Sequence, residues 1–297
     1  MEYAYKQTRF QAKSILTIRR AKSIIREYEE QGYTLTLRQL YYQFVSRDFI
    51  PNKMSEYKKL GAIINDARLA GYIDWTAIED RTRNLQKYSS WPSPKDILSS
   101  AARSFRLDIW DAQPVYIEVW IEKDALIGVI ERVCSEYRLP HFACRGNVSA
   151  SEMWGASQRF VEKINNGQNV VLLHLGDHDP SGIDMTRYNE ERLRMFIREH
   201  ADDAMFEIER LALNMDQVRK YKPPPNPAKE TDSRFIGYAK KFGNSSWELD
   251  ALEPQVINDL VETQVHILRD EEKWEEVLNR ENEYIARLHK TAKGFKE

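Results

Sequence analysis

Two carboxylates stand one residue apart at the end of an apolar run, Val170-Val171-Leu172-Leu173-His174-Leu175-Gly176-Asp177-His178-Asp179. A near-continuous apolar stretch of this length predicts a strand buried on both faces of a sheet. The run stops at Gly176; Pro180 and Gly182 then turn the chain, and Ser181 is placed to cap a helix starting near Ile183. Asp177 and Asp179 therefore belong at the carboxyl end of a strand, the edge where open α/β sheets bind ligands. Paired carboxylates in one loop repel and call for a cation, and hard oxygen donors suit Mg²⁺. The alternative is an acidic turn that only caps a helix. A third acid has a matching context. Val115-Tyr116-Ile117-Glu118-Val119-Trp120-Ile121 reads as another strand and ends at Glu122-Lys123-Asp124, followed by Leu126, Ile127, Ile130 and Val133 at helical spacing. Glu118 lies inside that strand and is expected to face a helix or water.

A different chemistry is available nearer the N-terminus. Thr36 and Gln39 make a capping box, so a helix should begin at Leu37. Leu37, Leu40, Tyr41, Phe44 and Val45 then recur at core spacing. Arg38 and Tyr42 fall off that face, one turn apart. A guanidinium beside a phenol can bind a phosphate and lower the cost of forming phenolate; equally, the pair can be a surface tyrosine stacked on an arginine.

The elements around these residues can be read in order. Residues 9–31 form one helix with Ile15, Ile18, Ala21, Ile24, Ile25 and Tyr28 as its apolar stripe, ended by Gly32. Residues 54–70 form another, with Tyr57, Leu60, Ile64 and Ala67 inward and Lys58, Lys59 and Arg68 elsewhere; Gly71 closes it, and residues 72–75 can form a short strand. Three helices and a short strand make a winged helix, whose third helix would enter a DNA groove. Arg81 and Arg83 either contact phosphates or pair with Glu79 and Asp80. Residues 89–94 read as a linker, followed by a helix through Ala101 to Phe105. Beyond the first strand, residues 141–144 form a short strand and 145–149 the loop at its end, where Arg145 is a surface pair or, as the family resemblance given below implies, a phosphate contact. Residues 151–164 are helical. His174 packs within its strand; His178 either touches substrate or lies in an exposed loop. Residues 206–212 alternate as a strand. In Trp247-Glu248-Leu249-Asp250-Ala251-Leu252 the acids either approach the metal edge or alternate along a strand. From Pro254 onward the pattern is helical and charged, a packing or dimer arm.

The chain has 297 residues, enough for two domains. Three segments are expected: 1–88, helical and DNA-binding; 89–112, linker and helix; and 113–297, metal-binding with a helical extension. Cys134 and Cys144 give neither a disulfide framework nor metal-ligand spacing and read as reduced, buried thiols of a cytoplasmic protein. The N-terminus is polar and charged, and no apolar run approaches a membrane span. The formal net charge of −2 is uneven: residues 1–110 hold 19 Lys and Arg against 12 Asp and Glu, a balance of +7, which leaves −9 on the remainder. A basic front beside an acidic back suits a DNA-processing enzyme.

A strand ending in Glu122-Lys123 and a later strand ending in Asp177-x-Asp179-x-x-Gly182 resemble the Toprim domain of topoisomerases, primases and some nucleases. The resemblance implies that Glu122, Asp177 and Asp179 hold Mg²⁺ beside a scissile phosphate. Arg38-Gln39-Leu40-Tyr41-Tyr42 resembles the Arg-x-x-Tyr-Tyr motif of the topoisomerase VI A subunit and its meiotic break-forming relatives, in which a winged helix precedes a Toprim domain. This second resemblance implies that Tyr42 is the nucleophile and Arg38 its support. It also implies a homodimer in which the tyrosine of one protomer meets the metal site of the other, and a separate ATPase subunit of the B type. No Gly-x-x-x-x-Gly-Lys-Ser/Thr loop is present in this chain.

The expected fold is thus α/β, a winged helix followed by a mainly parallel Toprim sheet. The expected activity is cleavage of double-stranded DNA by Mg²⁺-dependent transesterification, in the cytoplasm at the nucleoid. The competing readings are a Toprim-type hydrolytic nuclease and a DNA-binding protein with a structural Toprim domain.

Overall fold

The computed structural model describes residues 4–79 and 88–295. Helix α1 (Ala12–Glu30) buries Ile18, Ala21, Ile24, Ile25 and Tyr28, and Gly32, at φ 81°, reverses the chain after it. Helix α2 (Leu37–Ser46) starts at the expected capping box: Gln39 N–H donates to Thr36 Oγ1 at 3.3 Å and Thr36 N–H to Gln39 Oε1 at 2.8 Å. Helix α3 (Met54–Leu69) packs Leu60, Ile64 and Ala67 against α1 and α2. The strand expected over residues 72–75 does not form. Asp74 instead accepts from Thr76 N–H at 2.9 Å and starts a 3-10 turn, Trp75–Ala77, after which a bridge joins Leu35 to Ile78.

Ser93 and Pro94 start α4 (Pro94–Ser104), with the Ser93 hydroxyl accepting from Asp96 N–H at 3.2 Å. A sheet then follows by alternation: β1 (Val115–Ile121), α5 (Ile127–Glu136), β2 (His141–Ala143), α6 (Ala150–Asn165), β3 (Asn169–Leu175), α7 (Pro180–Ile197) and β4 (Phe206–Ala212). The four strands lie in the order β2-β1-β3-β4, all parallel. The molecule is therefore α/β with a four-stranded parallel sheet. In β3 every residue after Asn169 is buried, as its apolar run requires. The inner strands end level, because the register pairs Ile121 with Leu175. That single fact puts Glu122 beside Gly176 and Asp177.

The rest of the chain wraps this edge and the sheet: α8 (Met215–Tyr221), β5 (Asn226–Pro227), α9 (Phe235–Phe242), β6 (Ser245–Ser246), a 3-10 turn at Leu249–Ala251, α10 (Pro254–Leu268) and α11 (Glu271–Gly294). Strands β5 and β6 pair antiparallel, α10 packs on α5, and α11 packs along α4. Two apolar cores result, one built by α1–α3 and joined by Ala251, the other centred on the sheet. Cys134 and Cys144 are buried and free. Among the described residues no helix is long and apolar enough to cross a membrane.

Candidate active site

The site grows from the level ends of β1 and β3. Glu122 Oε2 accepts from Asp177 N–H at 2.8 Å. This closeness depends on two glycines: a Cβ on Gly182 would stand 2.2 Å from the Asp177 carbonyl oxygen, and one on Gly176 would stand 2.9 Å from Glu122 Oε2. From β4, half-buried Arg210 clasps the same loop, its Nη2 donating to the carbonyls of Gly176 at 3.1 Å and Asp177 at 2.6 Å. Asp179, and not Ser181, caps α7, accepting from Gly182 N–H at 2.6 Å, so the helix begins at Pro180 and not near Ile183.

The segment around Trp247 completes the cluster. Its backbone pairs with the Asp177 loop: His178 N–H donates to the Trp247 carbonyl at 2.8 Å and Trp247 N–H to the His178 carbonyl at 2.9 Å. Leu249 N–H then donates to Asp177 Oδ1 at 2.8 Å. The 3-10 turn that follows aims Glu248 and Asp250 at Asp177. Carboxylate oxygens of Asp177, Glu248 and Asp250 lie within 4.8 Å of one another, a group that could hold a metal ion. Glu122 and Asp179 stand beside this group, each with an oxygen committed to a backbone N–H. The converging trio thus shares only Asp177 with the trio expected from the motifs. Asp250 is 2 % exposed, which excludes the strand alternation that would have turned it to solvent.

Two cations offset part of the cluster's charge. Lys123 Nζ lies 2.9 Å from Asp177 Oδ1, 2.6 Å from Glu248 Oε2 and 3.0 Å from Asp250 Oδ1. Arg38 Nε donates to Asp250 Oδ2 and its Nη2 to Glu248 Oε2, both at 2.6 Å. The protonation energetics follow from burial and these charges. Burial pushes Asp177 up to about 7, Glu122, Asp250 and Glu248 push the same way, and Lys123 only partly offsets them. Burial also raises Glu248, but Lys123 and Arg38 outweigh it and hold that carboxyl down to about 2. Burial disfavours the Lys123 ammonium, yet Asp250, Asp177 and Glu248 together raise its pKa.

Tyr42 is not free of the core, as the periodicity of α2 implies; it is 5 % exposed. Helix α2 is covered on one side by α1 and α3 and on another by the turn that carries Asp250, so Tyr42 is buried as fully as Tyr41. Arg38 does sit near the Tyr42 ring, 5.6 Å from its centroid. It eases phenolate formation, but too little to prevail. Burial raises the Tyr42 phenol, Asp250 and Glu248 raise it further, and Arg38 only partly opposes them. A cavity of about 510 Å³ opens between the two cores, lined by Arg38, Tyr42, Glu122, Lys123, Asp177, Asp179 and Glu248, with Lys53, Asn226 and Lys229 also on its walls.

The remaining candidates are scattered. Lys58 is exposed on α3, and Lys59 pairs with Glu56 at 2.6 Å. Arg68 turns inward, donating to the Trp75 carbonyl at 2.6 Å and the Ile78 carbonyl at 3.2 Å and packing over the Trp75 ring; it clasps the turn that replaces the expected strand. Arg145 is exposed and pairs with Asp124 at 2.8 Å, away from the cavity lining. Arg81 and Arg83 lie outside the described residues. His178 is not in an exposed loop: it is 1 % exposed, its Nδ1 stands 2.8 Å from Tyr238 Oη, and Phe242 and Trp247 pack on the ring. Burial, aided by Arg210, holds it down to about 4, so it is neutral at pH 7. His174 is buried against Thr186, and Glu118 accepts from Tyr116, Trp120 and Arg159 on α6. Comparison with protein-family models, with curated proteins and with solved structures returned no match.

Proposed function

We propose that this chain cleaves DNA by transesterification through Tyr42, at a Mg²⁺ centre held by Asp177, Glu248 and Asp250. The observation that carries the reading is that Tyr42 lines one cavity with Asp177 and Glu248, whose carboxylate oxygens converge with that of buried Asp250. The order of the parts along the chain adds support, since a helical domain with an Arg-x-x-Tyr-Tyr motif precedes a parallel sheet with acids at its carboxyl edge, as in the A subunit of topoisomerase VI. In this reading the helical domain is a winged helix and the parallel sheet a Toprim domain.

The donor set fits the ion. It consists of hard carboxylate oxygens close enough to share one cation, two of the three on buried residues, Asp177 and Asp250. When bound, Mg²⁺ supplies positive charge that stabilises a phosphate and a departing oxygen. The chain's own groups do the rest. Tyr42 Oη attacks the phosphorus of a backbone phosphodiester. A phosphotyrosyl bond forms, the bond to one deoxyribose oxygen breaks, and the Tyr42 proton is delivered in net terms to that oxygen. Because the transfer conserves a phosphodiester, it is reversible. Arg38 holds the tyrosine helix against the acids, Glu122 fixes the Asp177 backbone, and Asp179 and Arg210 set the loop.

Tyr42 lines the same cavity as Asp177 and Glu248 of its own chain, and on that geometry we place the working centre within a protomer and not across a dimer. A homodimer remains the natural assembly for breaking both strands, since each strand needs its own tyrosine. A separate ATPase subunit would be needed for ATP-driven strand passage.

One observation favours a second reading. A phenol whose pKa is raised by burial and two carboxylates is a reluctant nucleophile, which suits a hydrolytic nuclease using a cavity water. Assay of Mg²⁺-dependent cleavage by Tyr42→Phe protein separates the two: loss of cleavage supports transesterification, and wild-type cleavage supports hydrolysis.

A further inference from the structure

Lys123 holds an unusual position for a side chain beside a metal centre. Its ammonium has three N–H donors, and it stands within 3.0 Å of one oxygen on each of Asp177, Glu248 and Asp250. These are the same three residues whose oxygens converge. We infer that Lys123 is the resident cation of this centre, and that a divalent ion enters only by displacing its ammonium. The inference rests on the metal reading above.

Steric and charge arguments agree. Mg²⁺ takes oxygens at about 2.1 Å, so an ion held by these carboxylates would sit within a few ångströms of the present Nζ position, at severe like-charge cost. The charge balance is also specific. With all three carboxylates ionised, the form that holds a metal, they carry −3, and Arg38 and Lys123 return +2, leaving −1. Replacing Lys123 by a divalent ion, with Arg38 in place, brings the sum to zero. Keeping both would make it +1. Of the two cations, Lys123 is the one built to leave. Arg38 is a planar fork on two acids, whereas a lysine has a flexible four-carbon stem. Lys123 follows Glu122 at the open end of β1 and already lines the cavity, so its head has room to swing.

Calorimetric titration of Mg²⁺ and of Mn²⁺ into the full chain tests this, comparing wild type with Lys123→Met. The variant should bind at least ten-fold more tightly, and its unfolding temperature should fall without metal and recover with it. Equal or weaker binding by folded Lys123→Met protein, with the wild type binding normally, overturns the displacement and leaves the metal centre standing. Absence of binding to both proteins overturns the two together. A second measurement needs no variant: amine-reactive labelling of wild-type protein, read by mass spectrometry. Labelling of Lys123 should rise several-fold on Mg²⁺ addition while other lysines stay constant. Unchanged labelling at Mg²⁺ concentrations that saturate the calorimetric signal would overturn the displacement.

Discussion

Arg38 Nε donates to Asp250 Oδ2 at 2.6 Å across 212 residues of chain. One hydrogen bond thus docks the helix that carries Tyr42 onto the turn that supplies a buried carboxylate. Arg38→Met removes this tie and leaves Asp250 and Glu248 with Lys123 alone. Uncompensated buried charge costs about 3–5 kcal/mol, but the Arg38 side chain is 40 % exposed, so screening reduces the expected loss to about 1–3 kcal/mol. Urea unfolding measures it, and Arg38→Lys should recover part of the loss, since it keeps the charge without the fork.

Asp177 makes the metal-free protein sensitive to pH. Its folded pKa, about 7, lies above its ordinary 3.8. The stability it contributes is therefore complete below the ordinary value and is lost as pH rises through about 7. Glu248 runs the other way: depressed from 4.5 to about 2, its contribution is present above 4.5 and lost as pH falls through about 2. Without metal, Asp177→Asn should be more stable than wild type at pH 8 by about 1–2 kcal/mol, with the difference vanishing below pH 4. Saturating Mg²⁺ should reverse the order at pH 8. Thermal melts across this range, with and without Mg²⁺, check both signs.

Gly182 is a backbone requirement of the site. A methyl group there would meet the Asp177 carbonyl at 2.2 Å, and that carbonyl is pinned by Arg210. Gly182→Ala should cost about 2–4 kcal/mol, in the range of steric overpacking with backbone shift. Gly146→Ala is the control, because a Cβ there would meet nothing within 4 Å, although φ is 89°. Its loss should stay near the αL penalty of about 1–2 kcal/mol and leave metal affinity unchanged.

Much of this arrangement is legible in the sequence because it is local. The capping box at Thr36 starts α2 where the residue types require, and the apolar runs before Glu122 and Gly176 become the two inner strands. What is not legible depends on distant segments. Periodicity along α2 separates one apolar face from the rest, but a second partner, the turn at Leu249–Ala251, covers Tyr42 as well. Glu248 and Asp250 read equally as strand or site, because their alignment comes from Leu249 N–H on Asp177, 72 residues away. Arg68 counts as a surface cation in composition, yet the Trp75 and Ile78 carbonyls absorb it.

A centre contained in one chain makes a prediction about mixtures. Tyr42→Phe protein mixed with Asp250→Asn protein should not regain nicking, because neither chain holds both the tyrosine and the acids. Mass spectrometry of intact complexes should first establish whether subunits exchange. Nicking that appears on mixing would instead place the centre between protomers.

The most direct measurement is the search for a covalent adduct. Wild-type protein is incubated with end-labelled duplex DNA and Mg²⁺, quenched in denaturant and resolved before and after proteolysis. The expected result is labelled DNA that stays bound to protein until the protein is digested, with Tyr42 as the modified residue. The adduct should be absent from Tyr42→Phe and present in Tyr41→Phe, which loses only the bonds from Tyr41 Oη to Asn52 and Lys53. Cleaved DNA that carries no protein, produced equally by Tyr42→Phe, would contradict a tyrosine nucleophile.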